Sequence, residues 1–571
     1  MMKRYKGCCV FGVVAAALFL AFWFAGSSGR GAADASIAGL SGTVVDHNGP
    51  VAGVRVRVQG AREFVVTDKA GCFLLSHPSA GKAVNISAWK EGYYSAIMKD
   101  VRAPKEGIRL KLIRYQIFDN RKYEWIPPEG AEGSCVECHP TITEMSLSDA
   151  HMQSARNPRF LTMYYGTDME GNQSPLTRYK KGGRINAWAN TMVPIPPDLS
   201  KPYFGPGYLL DFPGTVGNCT ACHIPGASIP DPVDPRAVKG ADKYGVHCDF
   251  CHKVEDVVVG AASRMPPLRS PGVQAMSVRR PFKDDPERSK LFFGTFDDVN
   301  ALAGDTNLPL LKESRYCASC HFGVFWDTVV YNSYGEWLKS PYADPKSGQA
   351  KTCQECHMPS PTLHKGKAIT NVAPGKGGIE RDPETIHNHN MTVDAELLRN
   401  SLTMNASAMI QNGKMVVDVT LINDKTGHHV PTDSPLRHLI LLVEARDSRG
   451  TVLKQLSGPQ LPDWCGKGDV HRGHYAGHPG KAYAKILANK WTQEYPTGAY
   501  WDHTEIVSDN RLAAFATDRT EFTFAKTERK NAIITVKLLY RRAFITLMEQ
   551  KKWDVPDIVM ARRQLILARD Q

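Results

Sequence analysis

Five copies of Cys-x-x-Cys-His lie between residues 135 and 357: Cys135-Val-Glu-Cys138-His139, Cys219-Thr-Ala-Cys222-His223, Cys248-Asp-Phe-Cys251-His252, Cys317-Ala-Ser-Cys320-His321 and Cys353-Gln-Glu-Cys356-His357. This is the attachment pattern of c-type haem. The two thiols of each copy bond to one porphyrin, and the adjacent histidine reaches the iron as proximal ligand. Ten of the fourteen cysteines are committed in this way. Structural zinc, the rival use of Cys-x-x-Cys, pairs two knuckles at short, fixed separation. Here the motifs begin 84, 29, 69 and 36 residues apart, and a histidine after every second cysteine serves no zinc purpose. The expected cofactor is therefore haem c, five copies covalently bound, and the expected chemistry is electron movement.

At 571 residues the chain is long enough for several domains. Its hydrophobic fraction of 42% and charged fraction of 22% are ordinary for a globular protein. The net charge of +12 omits the cofactors. Each haem brings two propionates, so the basic excess reads as cradles for those carboxylates. No lysine and arginine block marks a nucleic-acid arm, and nucleic acid is not an expected partner.

Residues 1–35 read as a signal peptide or a signal anchor. Lys3, Arg4 and Lys6 precede an uncharged apolar run of 18 residues, Cys8 to Ala25. That run is long for a signal core and just long enough to span a bilayer. Ala33-Asp34-Ala35 offers a small-residue cleavage site, so cleavage and a retained membrane anchor both stay open. Either sends the rest of the chain out of the cytoplasm. Cys8 and Cys9 precede the apolar run, which argues against a lipoprotein anchor.

Residues 36–115 read as an antiparallel β-sandwich of short strands: Gly42 to Asp46, Val54 to Val58, Glu63 to Thr67, Cys72 to Leu75 and Ile108 to Leu112. GTVVDHNGPVAGVRVRV followed by TDKAGCFLL resembles the carboxypeptidase regulatory-like domain, which implies a structural or adhesive module. Residues 116–395 carry every motif and read as a loop- and helix-rich pentahaem domain. Its clearest predicted helix is Thr141 to Arg156, with Asn157-Pro158 as stop. Residues 396–571 read as a second β-sandwich. There Met415 to Ile422 is expected to pair with Leu439 to Ala445, and a short helix is expected over Arg542 to Lys552.

DAHMQSARNPRF, YGVHCDFCHK, TCQECHMP and TGHHVPTDSPLRHLIL together resemble the cytochrome c-554-like group of multihaem cytochromes. The resemblance implies haems packed in close pairs and a C-terminal β-domain. One departure is Asp433, where the group's pattern leads to an expected glycine.

The sixth position on each iron decides between a closed haem and one open to substrate. Candidates for it in the haem region are His151, His247, His364, His387 and His389. The resemblance assigns a distal ligand at the position of His151. His387 and His389 alternate as on a strand, so one of them faces a given haem, with His389 preferred. His428 and His429 lie in a loop of the C-terminal β-domain that is expected to lend a histidine to a haem. His247, next to Cys248, would ligate a neighbouring haem or bind a propionate, and His364 would be ligand or loop. His438, His471, His474, His478 and His503 read as solvated loop residues.

Two functions follow. The first is an extracytoplasmic electron carrier, periplasmic or at the cell surface, whose partners are other cytochromes or a membrane quinol oxidoreductase. The second is an oxidoreductase acting on a small nitrogen or sulfur species at one open haem. No Cys-x-x-Cys-Lys motif is present, which favours the carrier.

Overall fold

The computed structural model describes residues 38–77, 81–182, 192–301, 303–527 and 531–568. The expected signal or anchor segment lies outside the described residues. Among those described, no helix is long and apolar enough to cross a membrane.

Two four-stranded sheets form the N-terminal unit. Ala38–Asp46 pairs antiparallel with Gly49–Pro50 and Cys72–His77, and parallel with Lys105–Lys111. The second sheet runs in the order Val65–Val66, Arg55–Val58, Ala83–Trp89, Ala96–Arg102. Alternation sets the inner face: Leu40, Val44, Val56, Phe73, Ile86, Ile108 and Leu110 from both sheets share one core. Gly42 is required by the parallel pairing, because a Cβ there would lie 1.9 Å from the carbonyl oxygen of Ile108. The sequence reading missed Ala83–Trp89 and Ala96–Arg102. This unit docks on the motif region through Trp89 Nε1, which donates to Thr306 Oγ1 at 3.0 Å, and through Arg57, 2.8 Å from Asp297.

Short helices, turns and two-stranded ribbons make up residues 116–395. The helix expected over 141–156 is broken. Pro140–Leu147 is helical, and Ser154–Arg156 is a separate 3-10 turn. Asp149 is the reason: its carboxylate takes the His151 N–H at 2.8 Å and so competes with the helix ladder. Asn157 starts the next helix, Pro158–Tyr165, rather than stopping the first. Its side-chain oxygen accepts from the N–H groups of Arg159 and Phe160.

The C-terminal region again has two sheets. One runs Thr403–Gln411, Lys414–Ile422, Thr517–Ala525, Gln455–Ser457. The other runs Thr504–Asp509, Gly480–Asn489, His438–Asp447, Asn531–Arg541, Ile558–Ala568. The expected pairing of Met415 to Ile422 with Leu439 to Ala445 is not formed: the two strands lie in different sheets. They face each other across the core, where Val417 and Val419 meet Leu439, Leu441 and Val443. Lys414–Ile422 pairs instead through the tight Asn412-Gly413 turn, both residues at positive φ. The last helix is Ile545–Lys551. Its buried Lys551 donates to the carbonyls of Thr162, Thr167 and Pro206 and so ties the C-terminal region to the central one.

Candidate haem-binding site

Each motif is a helical turn. The histidine N–H donates to the carbonyl of the first cysteine in the motifs at 135, 219, 248 and 317, at 2.9 to 3.1 Å, and Cys353–His357 is a helix outright. Residues at i, i+3 and i+4 of such a turn project to one side. Two thiols and one imidazole therefore converge, as attachment to one porphyrin requires. Thr352 and Glu355 form a capping box that starts the last of these turns.

Remote parts of the chain hold the imidazoles. Nδ1 of His139 donates to the carbonyl of Val372 at 2.8 Å, and Nδ1 of His252 to that of Phe293 at 2.5 Å. Nδ1 of His321 donates to Asp433 at 2.9 Å, and the carboxylate raises this imidazole to about 9. The same arrangement recurs at five histidines outside the motifs, one of them His438, whose Nδ1 donates to the carbonyl of Leu436 at 3.0 Å within the C-terminal sheets. His151 donates to Asp149 at 3.0 Å, His387 to the carbonyl of Met358 at 3.0 Å, His389 to that of His387 at 2.9 Å, and His428 to that of His429 at 2.9 Å. A ring anchored at Nδ1 has its Nε2 lone pair free for a metal, which is how metal-bound histidines are usually held.

Two ring pairs have the spacing of a shared iron. The ring centres of His151 and His321 are 6.2 Å apart, and those of His357 and His428 are 6.3 Å apart. Two imidazoles on opposite sides of one ion sit roughly 6 Å apart, from bonds of about 2 Å on each side plus the distance from nitrogen to ring centre. His389 lies within electrostatic reach of His252, His387 and His139, and burial lowers it to about 4. His223 differs. Phe160 stacks on it at 4.1 Å and 6°, and His151, which faces His321, is the histidine whose charge reaches it.

The motifs themselves lie close together. The thiol of Cys135 lies within electrostatic reach of Cys248, that of Cys222 within reach of Cys320, and that of Cys317 within reach of Cys353. Tyr316 donates to the carbonyl of Cys251 at 2.8 Å, which brings the third motif against the fourth. The fourth motif is thus the hub, close to the second, third and fifth. The described cysteines form no disulfides. Among the described residues no three His, Cys, Asp or Glu side chains converge as a bare metal ion would need. A haem iron has no such need, since four of its ligands come from the porphyrin and the protein adds one or two.

Other expected ligands are placed elsewhere. His247 is fully buried, and its Nδ1 accepts from the Phe250 N–H as cap of the Cys248–Cys251 turn. Its Nε2 lies 3.4 Å from Asp242. Nδ1 is used within the protein, so this ring shapes the third motif, while Nε2 has no hydrogen-bond partner among the described residues. His364 lies 3.7 Å from Glu144. His429 turns away from its neighbour His428 to lie 3.1 Å from Glu336. His438, expected in a solvated loop, is fully buried on its strand between Trp464 and Phe544, where burial lowers it to about 3.

Sequence reasoning missed Asp149, whose Asp-x-His spacing was its only signal. It noted Asp433 without a role. Asp433 adopts a left-handed backbone with φ of 60°, which is why glycine is the expected residue there. Tyr331 and Tyr500 were also missed. Their rings meet at 5.7 Å, and both lie within electrostatic reach of Cys219 and Arg437.

No protein-family model matches the chain, and no curated protein matches it. Among solved structures, a penta-haem cytochrome c552 from Thermochromatium tepidum is similar at 19% identity and a TM-score of 0.49, over 76% of this chain and 97% of that one. A cohesin–X-dockerin complex from Acetivibrio cellulolyticus is similar over 20% of this chain and 78% of that one, at 16% identity and a TM-score of 0.12. A PapD-like domain of human CEP192 is similar over 29% of this chain and 84% of that one, at 8% identity and a TM-score of 0.12.

Proposed function

We propose that the chain is an extracytoplasmic pentahaem c-type cytochrome that carries electrons between redox partners. The observation that carries this reading is the set of imidazoles anchored at Nδ1, two pairs of them facing each other at 6.2 and 6.3 Å across the motifs. Cys135 and Cys138, Cys219 and Cys222, Cys248 and Cys251, Cys317 and Cys320, and Cys353 and Cys356 would hold the five porphyrins. His139, His223, His252, His321 and His357 would be the proximal ligands. His151 would complete the iron on His321, and His428 the iron on His357. His387 and His389 would serve the irons of His139 and His252. Bound haem supplies a one-electron iron couple, and the residues set its geometry and surroundings. The nearness of the motifs supports a connected set of haems that branches at the fourth, in which electron exchange needs no open coordination position. Other cytochromes or a membrane quinol oxidoreductase are the proposed partners, and the outer β units the proposed docking or anchoring surfaces.

The test is a count. Five haems should remain after acid-acetone extraction and add five haem masses to the polypeptide. Spectra should show four bis-histidine low-spin irons, with rapid exchange with a redox mediator. Haem that extracts, or bound zinc in its place, defeats the reading. A reporter fused at the C-terminus should be exported.

His223 favours a second reading. Its iron has no histidine assigned opposite it, while Tyr331 and Tyr500 lie near its attachment cysteine. An open haem there would act on a small nitrogen or sulfur species. Tight cyanide or nitric oxide binding at one haem, with sustained nitrite or hydroxylamine turnover, would establish the enzyme over the carrier.

A further inference from the structure

The hub motif differs from the others in what backs its histidines. His139, His252, His387, His389 and His428 all donate Nδ1–H to backbone carbonyls. His321 and His151, the pair at 6.2 Å, both donate to carboxylates, Asp433 and Asp149. The two aspartates are clamped. Asp433 accepts from Ser333 through its other oxygen at 2.5 Å. Asp149 is 1% exposed, and its other oxygen accepts from the Met391 N–H at 2.7 Å. A carboxylate on Nδ1–H pushes electron density through the ring and makes Nε2 a stronger donor than a carbonyl does. A stronger donor stabilises the ferric over the ferrous iron.

We infer that Asp149 and Asp433 are positioning residues that make the haem on Cys317, Cys320 and His321 the lowest in reduction potential of the five. This rests on the pentahaem reading above. The consequence follows from the hub position. One electron leaving a neighbouring ferrous iron must reduce the hub from ferric to ferrous before it passes to another branch. In a partly reduced protein the hub therefore stays oxidised while electrons rest on the outer haems, and passage between branches is an uphill step. The left-handed conformation at Asp433 fits this role, because the site holds a carboxylate where glycine would be unstrained.

The test is a potentiometric titration of the holoprotein with optical and EPR detection. The wild type is compared with Asp433→Asn, Asp433→Gly and Asp149→Asn, and His151→Ala identifies the hub component as the one it converts to high spin. That component should be the lowest in the wild type. It should move upward in each aspartate variant and furthest in the Asp149→Asn/Asp433→Asn double variant, with the other four unmoved. Asparagine tolerates the left-handed backbone and glycine removes its strain, so a folding loss in one variant leaves the other as the test. A hub component that is not the lowest, or that stays in place when either carboxylate is removed, overturns the inference. Failure of the pentahaem reading shows separately, in the wild type, as fewer than five bound haems by mass or as missing bis-histidine signals.

Discussion

The N-terminal unit and the motif region solve the problem of a core in opposite ways. In the first, two sheets bring Leu40, Val44, Val56, Ile86 and Leu110 together at 0 to 2% exposure. Alternating strands do this with side chains alone, and burial of this kind stabilises by about 25 cal/mol per Å² of apolar surface. In the second, the elements are single turns and ribbons, and the five proximal histidines are only half-buried. An apolar cluster that includes Phe250, Val254, Phe293, Leu310 and Ala318 lies beside the motifs, but the histidines stand at its edge. On the pentahaem reading proposed above, haem would complete the packing of the motif region, so its folding should depend on haem as that of the outer units does not.

The largest expected effect breaks the comparison most directly. Export without haem attachment, or Cys317→Ser with Cys320→Ser at the hub, should leave the motif region open to proteolysis while residues 38–111 and 403–568 keep their strand signal. Limited proteolysis with mass spectrometry reads this, and equal loss in all three regions would erase the distinction. Ile86→Ala is the converse. A large-to-small change in a packed core costs about 2–5 kcal/mol. It should lower the unfolding midpoint of the N-terminal unit and leave the haem count at five.

A third prediction concerns the seam between the motif region and the C-terminal sheets. Glu336 is buried at that seam. Burial pushes its carboxyl up, but His429, Arg511 and Thr432 hold it at about 2. Its folded value lies below its unfolded one, so the stabilisation is full above the unfolded value near 4.5 and is lost as pH falls toward 2. Glu336→Gln should therefore destabilise at pH 7 by at most roughly 3 kcal/mol, with the difference from wild type vanishing in acid. Chemical denaturation at several pH values measures it, and a pH-independent difference would show that charge is not the cause. The smallest effect on the fold is His428→Ala. It should convert one low-spin iron to high spin and leave the midpoints of both β units in place. An unchanged spectrum would remove His428 from the ligand set.

Several features were legible in the sequence because they are local. The five motifs are single helical turns whose three groups converge whatever surrounds them. The strands at 42–46, 55–58 and 72–75 follow from alternation. Strand partnership was not local. Met415 to Ile422 and Leu439 to Ala445 are equally apolar and adjacent in sequence, yet the fold stacks them across a core instead of pairing them. The distal side of the site was decided in the same way. Nothing near His139, His252 or His321 announces Val372, Phe293 or Asp433 as the acceptor of its Nδ1–H. Nothing in Gly-His-His-Val says which histidine faces His357 and which turns to Glu336. Attachment chemistry is written in spacing along the chain. What holds each imidazole is not: His139 and His321 are held by Val372 and Asp433, more than a hundred residues away, and His252 by Phe293, 41 residues away, and only tertiary packing brings these together.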